Sequence, residues 1–281
     1  MLPRSFLYVP GNRPPLFAKA TAGPADAVVL DLEDAVPVHE KEQARADVAR
    51  WLADGPADPG AEQWVRVDPR HLPADLEAVV HPGLDGLLLA GCAPAALAEL
   101  DGALTGLEAD RGLTPGSVRV VGLVESAAAL VALAEMSVHP RLTTFGVGEV
   151  DLLGDLRVTR SPHTEAAVAQ LRTLVVVHCA AAGLEPPVAP TSTDFRDLDA
   201  FAGSTRALLD LGFRSRTAIH PAQVPIIHDA LRPTTDQVEA AQDVLARFDA
   251  ADGGVTTDAA GRLIDAAVVR EARETLQRRQ S

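Results

Sequence analysis

Eight short, almost uninterrupted apolar runs alternate with helix-length segments through roughly the first 230 residues, and this alternation limits the chain to few architectures. The runs lie at 5–9, 27–32, 64–67, 86–89, 118–124, 143–147, 187–189 and 217–219. A strand that is apolar on both faces must be covered on both faces, as in parallel sheets wrapped by helices. The intervening segments carry helical patterns, among them Lys41–Asp54, 93–99, 127–136 and Glu165–Ala182. Eight βα units in this length predict an α/β fold with a closed (β/α)8 TIM barrel rather than an open sheet. The run at 187–189 is the least strand-like. After Pro233 the pattern turns to helices alone: Thr235–Ala250, a turn at Gly253-Gly254, then 266–279. The expected organisation is therefore a barrel catalytic domain at 1–232 followed by a C-terminal helical extension at 233–281. The Pro- and Gly-rich patch at 54–60 reads as a loop.

Composition removes several function classes. A formal net charge of −14 argues against nucleic acid as a partner, because phosphate neutralisation needs clustered Lys and Arg. No apolar run approaches the ~18 residues of a membrane span, and the first ten residues read as a strand rather than a signal peptide. Cys92 and Cys179 stand far apart with no metal-type spacing, against both a disulfide framework and a zinc site. A cytoplasmic setting is expected. The acidity poses a problem for any anionic substrate, whose site must gather basic residues locally.

In a (β/α)8 barrel the catalytic groups stand at the C-terminal ends of the strands. Here the second run leads into Asp31, Glu33 and Asp34, the third contains Arg66 and ends at Asp68, and the fifth ends at Glu125. The sixth runs into Glu149 and Asp151, the eighth ends at His220, and Asn12 and Arg13 follow the first. So many oxygen ligands on one rim suit a hard cation. Mg²⁺ takes one or two carboxylates and completes its octahedron with water or substrate. Glu125 and Asp151 are the expected metal ligands, with Asp31, Glu33 and Asp34 orienting metal-bound water. Glu33 and Asp34 have an alternative as structural partners of Lys41 or Arg45. Arg66, inside an apolar strand, needs an anion: a substrate carboxylate gripped by its fork, or a permanent pair with Glu33 or Asp31.

The blocks Arg4-Ser-Phe-Leu-Tyr-Val-Pro-Gly-Asn-Arg-Pro and Ala25-Asp-Ala-Val-Val-Leu-Asp-Leu-Glu-Asp-Ala-Val resemble the opening of the citrate lyase β-subunit and malyl-CoA lyase family, within the HpcH/HpaI aldolase superfamily. Val65-Arg-Val, Leu123-Val-Glu-Ser-Ala, Gly148-Glu-Val-Asp-Leu, Ala218-Ile-His-Pro-Ala-Gln-Val and Gly261-Arg-Leu-Ile-Asp follow in order, nearly to the end of the chain.

The resemblance implies a Mg²⁺-dependent carbon–carbon lyase, commonly trimeric or hexameric, that cleaves or forms a 3-hydroxy-acyl-CoA such as malyl-, citramalyl- or citryl-CoA. The products of cleavage would be acetyl-CoA and a 2-oxo acid. It implies Mg²⁺ on Glu125 and Asp151, the substrate on Arg66, and Arg13 and Lys19 at the CoA or substrate entrance. It also implies an acid/base role for Asp265, carried over a neighbouring subunit's active site by the C-terminal extension; the alternative for Asp265 is a cap on the last helix. Three positions depart from the family pattern: Asp68 for Asn, Ala90-Gly91 for Pro-Lys, and Ser215-Arg216 for Gly-Lys. Two other readings are weighed against the lyase, a CoA-independent class II aldolase for small hydroxy-oxo acids and a noncatalytic citrate lyase complex subunit. Thioester hydrolysis after cleavage is compatible with the same residues.

Overall fold

The computed structural model describes residues 2–55 and 60–280, and its contacts divide the chain into two compact units, Met1–Ile227 and His228–Ser281. In the first unit eight strands close into a barrel in sequence order. They are β1 (Ser5–Pro10), β2 (Ala27–Asp31), β3 (Glu62–Val67), β4 (Gly86–Leu89), β5 (Arg119–Val124), β6 (Leu142–Val147), β7 (Val188–Ala189) and β8 (Ser215–Ala218). Every neighbouring pair is parallel, and β8 returns to β1 through Ser5 opposite Arg216. The weak seventh run is indeed short. It contributes two residues, with Val188 opposite Gly146 on one side and Ser215 on the other. Most of the expected loop at 54–60 lies outside the described residues.

The helices are α1 (Phe17–Thr21), α2 (Lys41–Asp54), α3 (Leu72–Val79), α4 (Pro94–Asp110), α5 (Ala127–Val131) and α6 (Leu133–Met136). They continue with α7 (Glu149–Asp155), α8 (Glu165–Ala182), α9 (Leu198–Asp210) and α10 (Gln223–Leu231). Two expectations change. The segment at 93–99 opens a helix of 17 residues, and the segment at 127–136 splits at Ala132 into two short helices. Helix α8 also corrects the view that no segment reaches membrane length, since its 18 residues meet the length and composition of a span. It is a barrel helix nonetheless. Val168, Val175 and Cys179 are buried, and Arg172 reaches across to Glu149.

Strand alternation divides each strand between the barrel interior and the helix layer. Phe6, Ala27, Val29, Trp64, Leu88, Val121, Leu123 and Val188 form one buried cluster inside the barrel. Phe6 meets Trp64 edge to face at 5.2 Å, and the Arg119 guanidinium lies 4.9 Å over the Trp64 ring while bonding Glu62 at 2.7 Å. That end of the barrel is plugged by packing. Two residues further along the same inward columns lie Tyr8, Asp31, Arg66 and Glu125, so the change from apolar to polar occurs within one turn of the pleat.

The second unit holds α11 (Thr235–Ala250) and α12 (Ala266–Gln280), and between them a two-stranded antiparallel sheet of β9 (Thr256–Thr257) and β10 (Leu263–Ile264). The sequence pattern suggested helices alone here. The strands are two residues each, too short to leave a period-two signature. Thr234 caps α11 reciprocally with Gln237.

Gly86 faces Trp64 so closely that a Cβ there would overlap the indole ring. Gly86→Ala should therefore destabilise the chain by roughly 1–3 kcal/mol through overpacking, read as a lower denaturation midpoint with an unchanged slope.

Candidate active site

At the C-terminal end of the barrel lies a cavity of about 440 Å³, whose lining includes Asp31, Asp34, Arg66, Glu125 and Asp151. Its chemistry starts with Asp31 and Arg66, partners in the register of β2 and β3. Arg66 donates from Nε and Nη2 to the two Asp31 oxygens, each at 2.7 Å, and its Nη1 lies 3.1 Å from Glu33. The guanidinium stacks 5.0 Å over Tyr8. Both arms of the expected choice thus meet at one residue: Arg66 faces the cavity, and its fork already holds Asp31. Burial opposes the charge on Arg66, but Asp31, Tyr8 and Glu33 outweigh it and raise the pKa.

Asp31 also accepts from the amides of Glu33 and Ala35, which turns the chain after β2 back over the rim. Lys41 does not pair with Asp34 there. It donates to the Leu32 and Glu33 carbonyls at 2.6 and 3.0 Å and approaches Asp68 at 3.3 Å, while Arg45 pairs with Asp75 at 2.6 Å. Asp34 is exposed at the cavity wall, and its amide donates to Glu33. Burial pushes the Glu33 carboxyl up to about 7 despite Arg66.

Glu125 follows β5 directly, and Ser126 caps α5 by accepting from the Ala129 amide, so the acid sits at the strand-to-helix turn. The Gly91 amide donates to Glu125 Oε2 at 2.5 Å; Gly91 has φ +51°, a conformation that suits glycine. Across the rim, a Cβ on Gly148 would fall within the Glu125 side chain. The two glycines are what let this carboxylate stand where it does. Burial pushes Glu125 up to about 7; the Gly91 amide and Arg66 act against this, and Asp151 and Asp34 add to it. Asp151 lies in the first turn of α7, one step beyond the strand end where the sequence placed it, and is exposed towards the cavity.

Asp68 is fully buried and brings no free charge to the rim. Burial disfavours its ionisation, yet Arg70 and Lys41 hold it down at about 2. Arg216 points away from the cavity, into the layer of α9, where it donates to the carbonyls of Pro190 and Phe201 and to Ser204 and Thr205. Asn12 bonds Glu40 at 2.6 Å, and His220 stacks on Phe195 at 5.4 Å. Arg13 and Lys19 are exposed, and neither has an ion-pair partner among the described residues. Asp265 belongs to the second unit, where it accepts from the amides of Ala267 and Val268 at 2.9 and 3.1 Å and caps α12. Sequence reasoning missed what fixes Glu149, which is buried and held by Arg160 and by Arg172 at 2.5 and 2.7 Å. Both arginines are distant in sequence, so only the glycine before Glu149 hinted at a special turn.

Among the described residues no three His, Cys, Asp or Glu side chains converge into a complete metal cage. A pair of carboxylates beside open volume is what Mg²⁺ accepts, since it retains water and substrate oxygens. Asp151 and Asp34 raise the cost of ionising Glu125, and a cation among them would relieve it.

A closed parallel eight-stranded barrel with acids and an arginine gathered at its C-terminal mouth is the arrangement of a (β/α)8 enzyme. The signature of the HpcH/HpaI aldolase/citrate lyase family matches residues 4–221, and the chain belongs to that family. Its named relatives are carbon–carbon lyases and enzymes acting on the same thioesters. An L-malyl-CoA/β-methylmalyl-CoA lyase of Cereibacter sphaeroides is 31% identical, over 96% of this chain and 92% of its own. A (3S)-malyl-CoA thioesterase of the same species is 32% identical, over 97% and 93%. Among solved structures, the CitE protein of Mycobacterium tuberculosis, in complex with magnesium, acetoacetate and coenzyme A, superposes with TM-score 0.79 at 26% identity, covering 99% of this chain and 98% of that one. The expected fold and family both stand.

A carboxyl whose pKa is raised by folding costs stability as pH rises from the unfolded value near 4.3 through about 7. Glu125→Gln should therefore be more stable than the native chain above pH 7 in EDTA, on the order of 1–2 kcal/mol, and nearly equal to it near pH 4. Denaturation midpoints at the two pH values measure this. An equal midpoint at high pH would mean that Glu125 ionises freely.

Proposed function

We propose that the chain is a Mg²⁺-dependent lyase that cleaves or forms a 3-hydroxy-acyl-CoA, with Glu125 and Asp151 as the protein ligands of the metal. The observation that carries this reading is the pairing of those two carboxylates beside Arg66 in one cavity. When bound, Mg²⁺ supplies Lewis acidity to the hydroxyl and carboxylate oxygens of the substrate.

The chain's own residues perform the remaining tasks. Arg66, fixed from behind by Asp31, presents its Nη1 end to the substrate carboxylate in place of Glu33, and its charge offsets the charge developing on the 2-oxo acid. Glu33, pushed up to about 7, gives way at low electrostatic cost. Asp34 and Glu33 orient water at the rim. Arg13 and Lys19 meet the CoA phosphates, which also favours this reading over an aldolase that needs no CoA. Asp265, from a neighbouring copy in a homo-oligomer, takes a proton from the acetyl methyl in condensation and returns it in cleavage. Its carboxylate must then leave the cap it makes on α12 or share it. Hydrolysis of the same thioester is a second reading, favoured by the thioesterase relative; whether free CoA appears without a second enzyme separates the two.

Three measurements test the proposal. A panel of malyl-, citramalyl- and citryl-CoA followed by mass spectrometry should yield acetyl-CoA and a 2-oxo acid only with Mg²⁺ present. In calorimetry, Mg²⁺ affinity should fall about tenfold per pH unit below about 7 and level off above it, because Glu125 must be deprotonated to ligate. Glu125→Gln and Asp151→Asn should each lose that binding, and native affinity in either variant removes that residue as a ligand. Finally, inactive Asp265→Asn and Glu125→Gln chains should regain partial activity when mixed and allowed to exchange subunits. Verified mixed oligomers without recovery would place Asp265 outside the reaction.

A further inference from the structure

The cavity has two unlike walls. Across the barrel from Arg66 stand Val188, Ala189 and Pro190, on or just after β7, and Leu123, Val147 and Ile219 complete an apolar lining with them. Gly146 opens the floor between them, since a Cβ there would press on Leu123. Among the described residues Arg66 is the one Lys, Arg or His side chain on the lining. The other cations nearby are paired away from the apolar lining. Arg160 and Arg172 hold Glu149, Lys41 holds Asp68, Arg70 bonds Asp68 from the adjoining pocket that it shares with Glu125 and Asp151, and Arg216 is 4% exposed and bonded to carbonyls and hydroxyls around α9. The apolar wall carries one uncommitted polar side-chain atom among the described residues, the buried hydroxyl of Thr191; the Thr217 hydroxyl donates to the Ala189 carbonyl. A neutral hydroxyl does not balance a carboxylate.

The candidate acceptors share the 2-oxo carboxylate and differ in the group on the other side of the carbonyl. With the shared part held at the metal and Arg66, that substituent meets hydrocarbon. A methyl or ethyl group is buried there favourably. A second carboxylate is desolvated without a partner and faces the field of the acidic wall. We infer that the acceptor at this site is a 2-oxo acid with one carboxylate and a small apolar substituent, and that dicarboxylic acceptors are excluded by the wall of Val147, Val188, Pro190 and Ile219. This rests on the lyase reading above and narrows it to thioesters of the citramalyl type or their close homologues, against citryl.

The test uses the full chain with Mg²⁺ and a matched pair, 2-oxobutyrate and oxaloacetate, which differ by a methyl against a carboxylate at one position. Calorimetry should show 2-oxobutyrate and pyruvate binding at least roughly tenfold more tightly than oxaloacetate, the scale on which a pocket discriminates such groups. Condensation with acetyl-CoA should follow the same order in kcat/KM. Ile219 is 40% exposed, so Ile219→Arg adds a cation at the wall without burying it. That variant should narrow the gap at least threefold by improving oxaloacetate. Oxaloacetate binding as tightly as 2-oxobutyrate in the native chain overturns the inference while leaving the lyase reading intact, as does an unchanged ratio in Ile219→Arg. Failure of all three acids to bind in the presence of Mg²⁺ overturns both.

Discussion

The pairing of Asp31 with Arg66 inside the mouth of the barrel is the interaction on which the rest of the site depends. Two opposite charges on adjacent strands, joined by two hydrogen bonds of 2.7 Å, form a charge pair in a largely water-free place. Such a pair offers little net stability, because desolvation consumes most of its Coulombic gain. Its value is positional. Asp31 spends its remaining acceptor capacity on the amides that shape the loop carrying Glu33 and Asp34, and Arg66 lends one positive charge to a cavity whose other charged lining residues are acids. Removal of either partner would leave a buried charge and a misdirected loop together.

Around that pair the structure separates charges that serve the rim from charges that serve the fold. Asp68, Asp75, Glu108 and Glu149 are all buried, and each has its own cations: Lys41 and Arg70, Arg45, Arg141, and Arg160 with Arg172. Glu125, Asp151 and Asp34 have no ion-pair partner of this kind among the described residues. An acidic chain therefore does not leave its acids equally available. It neutralises the structural ones locally and keeps a few uncompensated where a divalent cation can compensate them.

The barrel was legible because parallel strands buried on both faces must be apolar throughout, and runs such as 27–30 and 86–89 are too short for a buried helix and too apolar for a half-solvated strand. The rim acids were legible because strand ends are where a barrel exposes polar groups. Three things could not be read. The partners of Glu149 are Arg160 and Arg172, set by how α8 packs and not by any local pattern. The departure at Ser215-Arg216 does not reveal which way its arginine points: inward and outward positions alternate along β8, so Arg216 faces the helices while Thr217 faces the cavity. The double occupation of Arg66, by Asp31 behind and the cavity in front, is a matter of angles that a sequence does not contain.

Strand β7 is only two residues long, and Val188 is its single partner for β6. The part of the apolar lining at 188–190 thus hangs on the seam of the barrel with the fewest ladder hydrogen bonds. Local opening there breaks few bonds, so amide exchange at this seam proceeds through fluctuations well short of global unfolding. Asp31, Arg66 and Glu125 stand on or just after strands paired along both edges, and Asp151 follows β6, which is paired along its length with β5. Drift in acceptor scope can therefore accumulate at 188–190 with little penalty to folding, while the metal-facing half stays fixed. One barrel with a rigid chemical half and a loosely tethered recognition half is a natural starting point for divergence among enzymes that keep a reaction and change its substrate.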